Sequence, residues 1–88
     1  MNAVNDWDIT VRFTEEENRT HAAAVLEFQG RRFEGSGGAK RRSDDPNVPV
    51  IGEELATARA LSDLSHQLLQ AAAERIESFE HRPVHIPR

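Results

Sequence analysis

The chain contains no cysteine. Neither a disulfide nor a thiolate metal site is therefore possible, and a reducing cytoplasm is the expected setting. No apolar run approaches the roughly 18–20 residues of a membrane-spanning helix, so no membrane association is expected. The opening "MNAVNDWDITVRF" lacks the basic start and apolar stretch of a secretory leader. An excess of positive charge is missing as well. Eleven Lys and Arg face fifteen Asp and Glu, a net charge of −4, which weighs against a general polyanion binder. Within these exclusions stands a single domain of 88 residues, near the lower limit of independent folding. A chain of this size buries only about 60–65% of its unfolded surface. Without disulfides, a second copy is the common source of extra burial.

The residues that are present divide into three strand patterns and one helix pattern. "WDITVRF" alternates, with Trp7, Ile9, Val11 and Phe13 on one face and Asp8, Thr10 and Arg12 on the other, the period of a half-buried strand over about 7–13. "TEEENR" (Thr14–Arg19) reads as an acidic turn. A second strand over about 20–28 places Ala22, Ala24, Leu26 and Phe28 on its core face. The Gly-containing "QGRR" then predicts a hairpin. The third strand, about 33–41, would turn Phe33, Gly35, Gly37 and Ala39 inward, so that a helix backbone can lie close against it. "GSGG" is a weak candidate for a phosphate loop, since it lacks both the spacing and the GK[ST] ending.

A loop over 42–49, stiffened by Pro46 and Pro49 and with Asn47 as candidate cap, leads into a helix over about 50–79. From Glu53 to Arg82 there is neither Gly nor Pro, and strong helix formers dominate. Glu53 and Glu54 are expected in its first turn, where they complement the helix dipole. A tail over 80–88 follows. Ile51, Leu55, Ala58, Leu61, Leu64, Leu68, Leu69, Ala72, Ile76 and Phe79 form an apolar stripe spanning roughly 180°, wider than the ~100° a simple surface helix needs. Ala56, Ala60 and Ala71 fall on the opposite side. At 1.5 Å per residue this helix is about 45 Å long, against about 30 Å for a nine-residue strand. Its last turns would overhang the sheet. The expected architecture is α+β, a three-stranded antiparallel meander followed by one long C-terminal helix packed on the sheet. A homodimer through Leu68, Ala72, Ile76 and Phe79 is the expected use of the overhang.

A search for chemistry finds little. Pro83 separates His81 from His85 and prevents a helical metal pair. His66 sits among Arg59, Asp63 and Gln70 on the polar side of the helix. Ser62, Asp63, Ser65 and His66 are neighbours on one helix and cannot converge as a triad. Arg59 and Asp63, four apart, read as a solvated pair. No enzyme activity, catalytic residue, cofactor, metal or small-molecule substrate is expected. The candidate partner-binding residues are two basic clusters, Arg31–Arg32 and Lys40–Arg41–Arg42, lying about 30 Å apart along an extended strand. A double-stranded-RNA-binding domain also joins a three-stranded sheet to a helix, but opens that helix with lysines, whereas this one opens "GEELA".

"NVPVIGEELATARALSDL" (Asn47–Leu64), preceded by "WDITVRF", an acidic turn, "RTHAAAVL" and "GSGGAKR", resembles the signature of a small actinobacterial family catalogued as a domain of unknown function, number 1876. The resemblance covers nearly the whole chain. It implies a β-β-β-α fold, dimeric association and a link with stress or dormancy. Comparison of such folds with ribosome-hibernation factors makes the ribosome one expected partner. A protein–protein adapter without nucleic-acid contact is the alternative. The family supplies no functional residues to carry over.

Overall fold

The computed structural model describes residues 3–42, 44 and 46–87. Three strands, β1 (Ile9–Glu16), β2 (Arg19–Phe28) and β3 (Arg31–Lys40), precede one helix, α1 (Pro49–Glu80). The strands form an antiparallel sheet in the order β1-β2-β3. The fold is therefore α+β with β-β-β-α order.

The strand ends differ from expectation for local reasons. β1 begins at Ile9, so that Trp7 and Asp8 fall outside it, and continues through the acidic run: Thr14, Glu15 and Glu16 pair with His21, Thr20 and Arg19. Carboxylates at the exposed tip of an edge strand keep their hydration, so backbone pairing proceeds despite their low strand propensity. The turn shrinks to Glu17 and Asn18, with Glu17 at φ 50°. The second hairpin closes through Gln29 and Gly30, at φ 50° and 74°. Left-handed φ at both central residues matches the right-handed twist of the flanking strands. β3 consequently starts at Arg31, two residues before its expected start.

α1 starts with Pro49, and Val48 rather than Asn47 is its N-cap, with no side-chain capping bond. Glu53 and Glu54 thus lie beyond the first turn, which carries no acidic residue. At the other end His81 adopts the left-handed conformation (φ 60°). Its N–H donates to Glu77 O at 2.7 Å, and Pro83 prevents continuation.

The core is a thin seam between β2, β3 and α1. Ala22, Ala24, Leu26 and Phe33 from the sheet meet Ala56, Ala60 and Leu64 from the helix, all buried. Val11, Phe28, Ala39, Leu68 and Ala71 pack around them. The inward phase of β3 is as expected, but the orientation of α1 is not. Ile51, Leu55 and Leu61 are 51%, 46% and 38% exposed, and Ala58 and Ala72 are exposed too. The face on the sheet bears Ala56, Ala60 and Ala71, read from sequence as the opposite side, together with Leu64 and Leu68 from one margin of the expected stripe.

Glycine explains the reversal. A Cβ on Gly35 would lie 2.5 Å from Leu64 N, and one on Gly37 would lie 2.7 Å from Arg59 Cβ and closer still to Ala60 N. The helix backbone rests directly on Gly35 and Gly37, and at that crossing the helix turns the small Ala56 and Ala60 to the sheet. Ile51, Leu55 and Leu61 are thereby turned away from the crossing and left exposed.

Candidate interaction surface

The two long edges of the sheet are finished differently. On β3, helix side chains occupy the outward backbone groups. Ser36 N–H donates to Asp63 Oδ2 at 2.8 Å, Gln67 Nε2 donates to Glu34 O at 2.8 Å, and Arg59 Nη1 donates to Gly38 O at 2.6 Å. Arg59, Asp63 and Gln67 recur every four residues and so form one ridge along the helix. The expected solvated Arg59–Asp63 pair is thereby corrected: both reach the strand edge instead. These three residues were missed as a unit. The signal that could have found them is their spacing beside a strand with no side-chain bulk.

With that ridge turned to β3, the opposite flank of α1, which carries Leu61, leans toward β1. The helix covers β2 and β3 and stops short of β1. Ile9 and Phe13, on the same sheet face as buried Ala22 and Leu26 by register, are 45% and 44% exposed. Trp7, 59% exposed, stacks on Phe28 with ring centroids 4.0 Å apart. Exposed apolar side chains therefore stand both on the bare face of β1 and on the outer side of α1. Ile76 (37%) and Phe79 (81%) add to them on the last turns of the helix. Of the residues expected at a dimer interface, Ala72, Ile76 and Phe79 are exposed, whereas Leu68 packs against the chain's own core.

The basic residues do not gather. Arg31 stacks over the Phe33 ring, 4.9 Å from its centroid. Arg32 is paired with Glu34 at 3.0 Å and Glu27 at 3.5 Å, so its charge is offset locally. At the far end of β3, Arg41 donates to Asn18 Oδ1 at 2.8 Å, tying the strand end to the β1–β2 turn. Lys40 and Arg42 are exposed nearby. One chain thus holds two separate clusters, the first partly neutralised by carboxylates.

A groove of about 280 Å³ lies between the β1–β2 turn, the end of β3 and the start of α1. Its floor is apolar, with Ala39, Val48, Ile51 and Leu55, and its rim carries Glu15, Glu17, Arg19, Lys40 and Arg41. Charges of both signs around an open floor select no one ligand charge. Among the described residues no group of three His, Cys, Asp or Glu is placed to hold a metal ion, and no helix is long and apolar enough to cross a membrane. His21, His66, His81 and His85 are all exposed.

A small antiparallel sheet, half covered by one long helix and bearing open apolar surface, is the class of protein defined here. The chain belongs to the Rv2632c-like family, whose model matches residues 5–85. It is 45% identical over 76 residues to the uncharacterized protein Rv2632c of Mycobacterium tuberculosis, covering 86% of this chain and 82% of that one. It is 38% identical over 80 residues to the uncharacterized protein Mb1767 of Mycobacterium bovis, covering 91% and 85%. The crystal structure of Rv2632c superposes with a TM-score of 0.85 at 40% identity, over 93% of this chain and 98% of that one. The expected small actinobacterial family of unknown function is met. Its relatives supply the fold and no activity.

Proposed function

We propose that the chain is a non-enzymatic protein-binding adapter, working through the apolar surface that α1 leaves open. The observation carrying this reading is the exposure of Ile9, Phe13, Ile51, Leu55, Leu61, Ile76 and Phe79 in a domain too small to spare apolar area. Exposed apolar side chains in this number mark an interaction surface. Self-association, expected from the sequence, is part of this reading. The place in stress or dormancy comes from the family resemblance, with no residue of its own behind it.

Attachment to the ribosome draws less support. It requires Arg31, Arg32, Lys40, Arg41 and Arg42 to meet phosphates together, yet they sit at opposite ends of β3, and Arg32 is flanked by two carboxylates. Sedimentation of purified protein with ribosomes, at low and high salt, separates the readings. The adapter stays in the supernatant at every salt, and its partners from cell extract survive RNase but are lost with Leu55→Glu. Pelleting at low salt that fades steeply as salt rises, the mark of phosphate contacts, and that is lost with Arg41→Glu plus Arg42→Glu, would overturn the adapter reading.

A further inference from the structure

The segment Trp7-Asp8-Ile9-Thr10-Val11-Arg12-Phe13 has the same chemistry from either end. Aromatic, charged, β-branched aliphatic, threonine, β-branched aliphatic, oppositely charged, aromatic: Thr10 is its centre. Ile9–Phe13 of this segment lie in β1, the sheet edge that α1 leaves uncapped, and Trp7 and Asp8 stand just before that strand, with Trp7 stacked on Phe28 of β2. From these two facts we infer that β1 pairs antiparallel with β1 of a second copy, about a two-fold axis at Thr10, making a continuous six-stranded sheet. The inference rests on the adapter reading and names the occupant of the β1 part of its surface.

The backbone phase allows this pairing. On β3, Glu34, Ser36 and Gly38 turn their peptide groups outward to α1 side chains, so Phe33, Gly35 and Gly37 face β2. Their partners there are Leu26, Ala24 and Ala22. Val25, Ala23 and His21 must then face β1, where they meet Thr10, Arg12 and Thr14. Alternation along the strand leaves the N–H and C=O groups of Ile9, Val11 and Phe13 at the free edge. Pairing about Thr10 sets Ile9 against the partner's Val11 as a hydrogen-bonded pair, on both sides of the axis, and Thr10 against the partner's Thr10 as a non-hydrogen-bonded one.

Side chains select that register. On the solvent face, Asp8 meets the partner's Arg12 twice. Neither residue has an ion pair within its own chain among the described residues. On the helix face, Trp7 meets the partner's Phe13 and Ile9 meets the partner's Val11. Aromatic, threonine and opposite-charge pairs are the favourable cross-strand combinations. A one-residue slip would set Ile9, Val11 and Phe13, whose peptide groups face the free edge, against residues whose groups face β2, and so forfeit the hydrogen bonds. Centring on Val11 sets Asp8 against Thr14, and centring on Arg12 opposes Arg12 to itself and Asp8 to Glu16. Centring on Ile9 leaves Phe13 opposite Asn5. Only the register about Thr10 matches every position, and self-complementarity is what an isologous interface requires.

Two measurements test this on the full chain. In analytical ultracentrifugation, Asp8→Arg or Arg12→Asp alone should weaken self-association by about tenfold or more, since each replaces two attractive pairs with two repulsive ones. The double variant, which restores both pairs in reverse, should recover dimerisation. Because the chain has no cysteine, Thr10→Cys introduces a single thiol, which should form an intermolecular disulfide readily under mild oxidant across the close non-hydrogen-bonded pair. Thr14→Cys, on the same face, should not. A monomer at 100-micromolar concentrations (on the order of what weak interfaces need) overturns the inference. So does a dimer indifferent to the charge swaps but lost with Phe79→Glu, which would leave the adapter reading standing. Retention on ribosomes would instead overturn that reading and leave β1 pairing to its own outcome.

Discussion

β3 and β1 flank the same central strand, yet each is completed by different means. β3 gives up side-chain volume at Gly35 and Gly37, lets the helix backbone settle on it, and has its edge groups taken by Arg59, Asp63 and Gln67. β1 keeps Ile9, Val11 and Phe13, and the helix leaves Ile9 and Phe13 nearly half exposed. Packing within one chain is concentrated on the β3 side, and open apolar surface on the β1 side. An edge blocked by the chain's own side chains cannot template another strand, whereas an open one can. The difference separates the part that folds the chain from the part proposed to meet a partner.

Breaking the β3 side should have the largest effect. Gly37→Leu must place a side chain where Ala56 O, Ala60 N and Arg59 Cβ already lie, and backbone atoms retreat only if the whole helix moves. Overpacking of an ordinary core costs about 1–3 kcal/mol. Here the loss should exceed that and leave the chain largely unfolded, as read by circular dichroism. Gly38→Ala is the control, since its Cβ would find only Thr20 O at 3.7 Å and should shift the melting temperature little. Comparable melting for both variants would mean that α1 is not seated on β3.

The seam itself comes next. Leu64 is 2% exposed and Leu61, three residues earlier, is 38% exposed. Leu64→Ala should cost about 2–5 kcal/mol, the range for a buried leucine leaving a cavity, and Leu61→Ala less than about 1 kcal/mol. Chemical denaturation of the two variants measures the asymmetry directly. Equal losses would show that the β1-facing flank of the helix is also buried within one chain.

Much of this arrangement was legible in the sequence, and the failures have physical causes. Alternation fixed which side of each strand faces the helix, and the vanishing bulk at Gly35, Gly37 and Ala39 correctly indicated close approach. The rotation of α1 was misread because hydrophobicity points the largest residues inward, while contact with glycine demands the smallest. Ala56 and Ala60, spaced to meet Gly37 and Gly35, carried the signal, but it emerges only when strand and helix are read together. β1 was placed too early in the chain, and its C-terminal end was missed for a related reason. Strand propensity disfavours Glu15 and Glu16, yet an edge position lets both stay hydrated while their backbone pairs. The candidate surface was half legible. Exposure of Ile76 and Phe79 followed from helix length alone, whereas the open face of β1 depends on where the helix lies.

Removing one edge cap should have a smaller effect than emptying the core. Asp63 accepts from Ser36 N–H at 2.8 Å and from Gln67 at 3.4 Å. Asp63→Ala should cost about 1 kcal/mol, the net value of a typical hydrogen bond, because water can replace the carboxylate at an exposed amide. Asp63→Asn keeps an acceptor and should recover most of that loss. The variant chain also gains an unguarded strand edge, so Asp63→Ala should raise light scattering at high concentration more than its lost stability accounts for. Equal scattering from Asp63→Ala and the unmutated chain would show that the ridge supports packing without guarding the edge.

The smallest effect on folding belongs to the overhang. Phe79 is 81% exposed on a turn beyond the sheet, and Gln forms helix slightly better than Phe. Phe79→Gln should therefore leave monomer stability within about 0.5 kcal/mol, with the denaturation midpoint nearly unmoved at low protein concentration. Any loss that appears should grow with protein concentration, because it would come from association, and an interface stabilises the folded chain by mass action. This outcome bears on the comparison of the two flanks. A concentration-dependent loss in Phe79→Gln would extend the associating surface from β1 along α1 to its overhanging turns. A concentration-independent loss comparable to that of Leu64→Ala would mean that Phe79 is covered by its own chain in solution, confining the open surface to the β1 side.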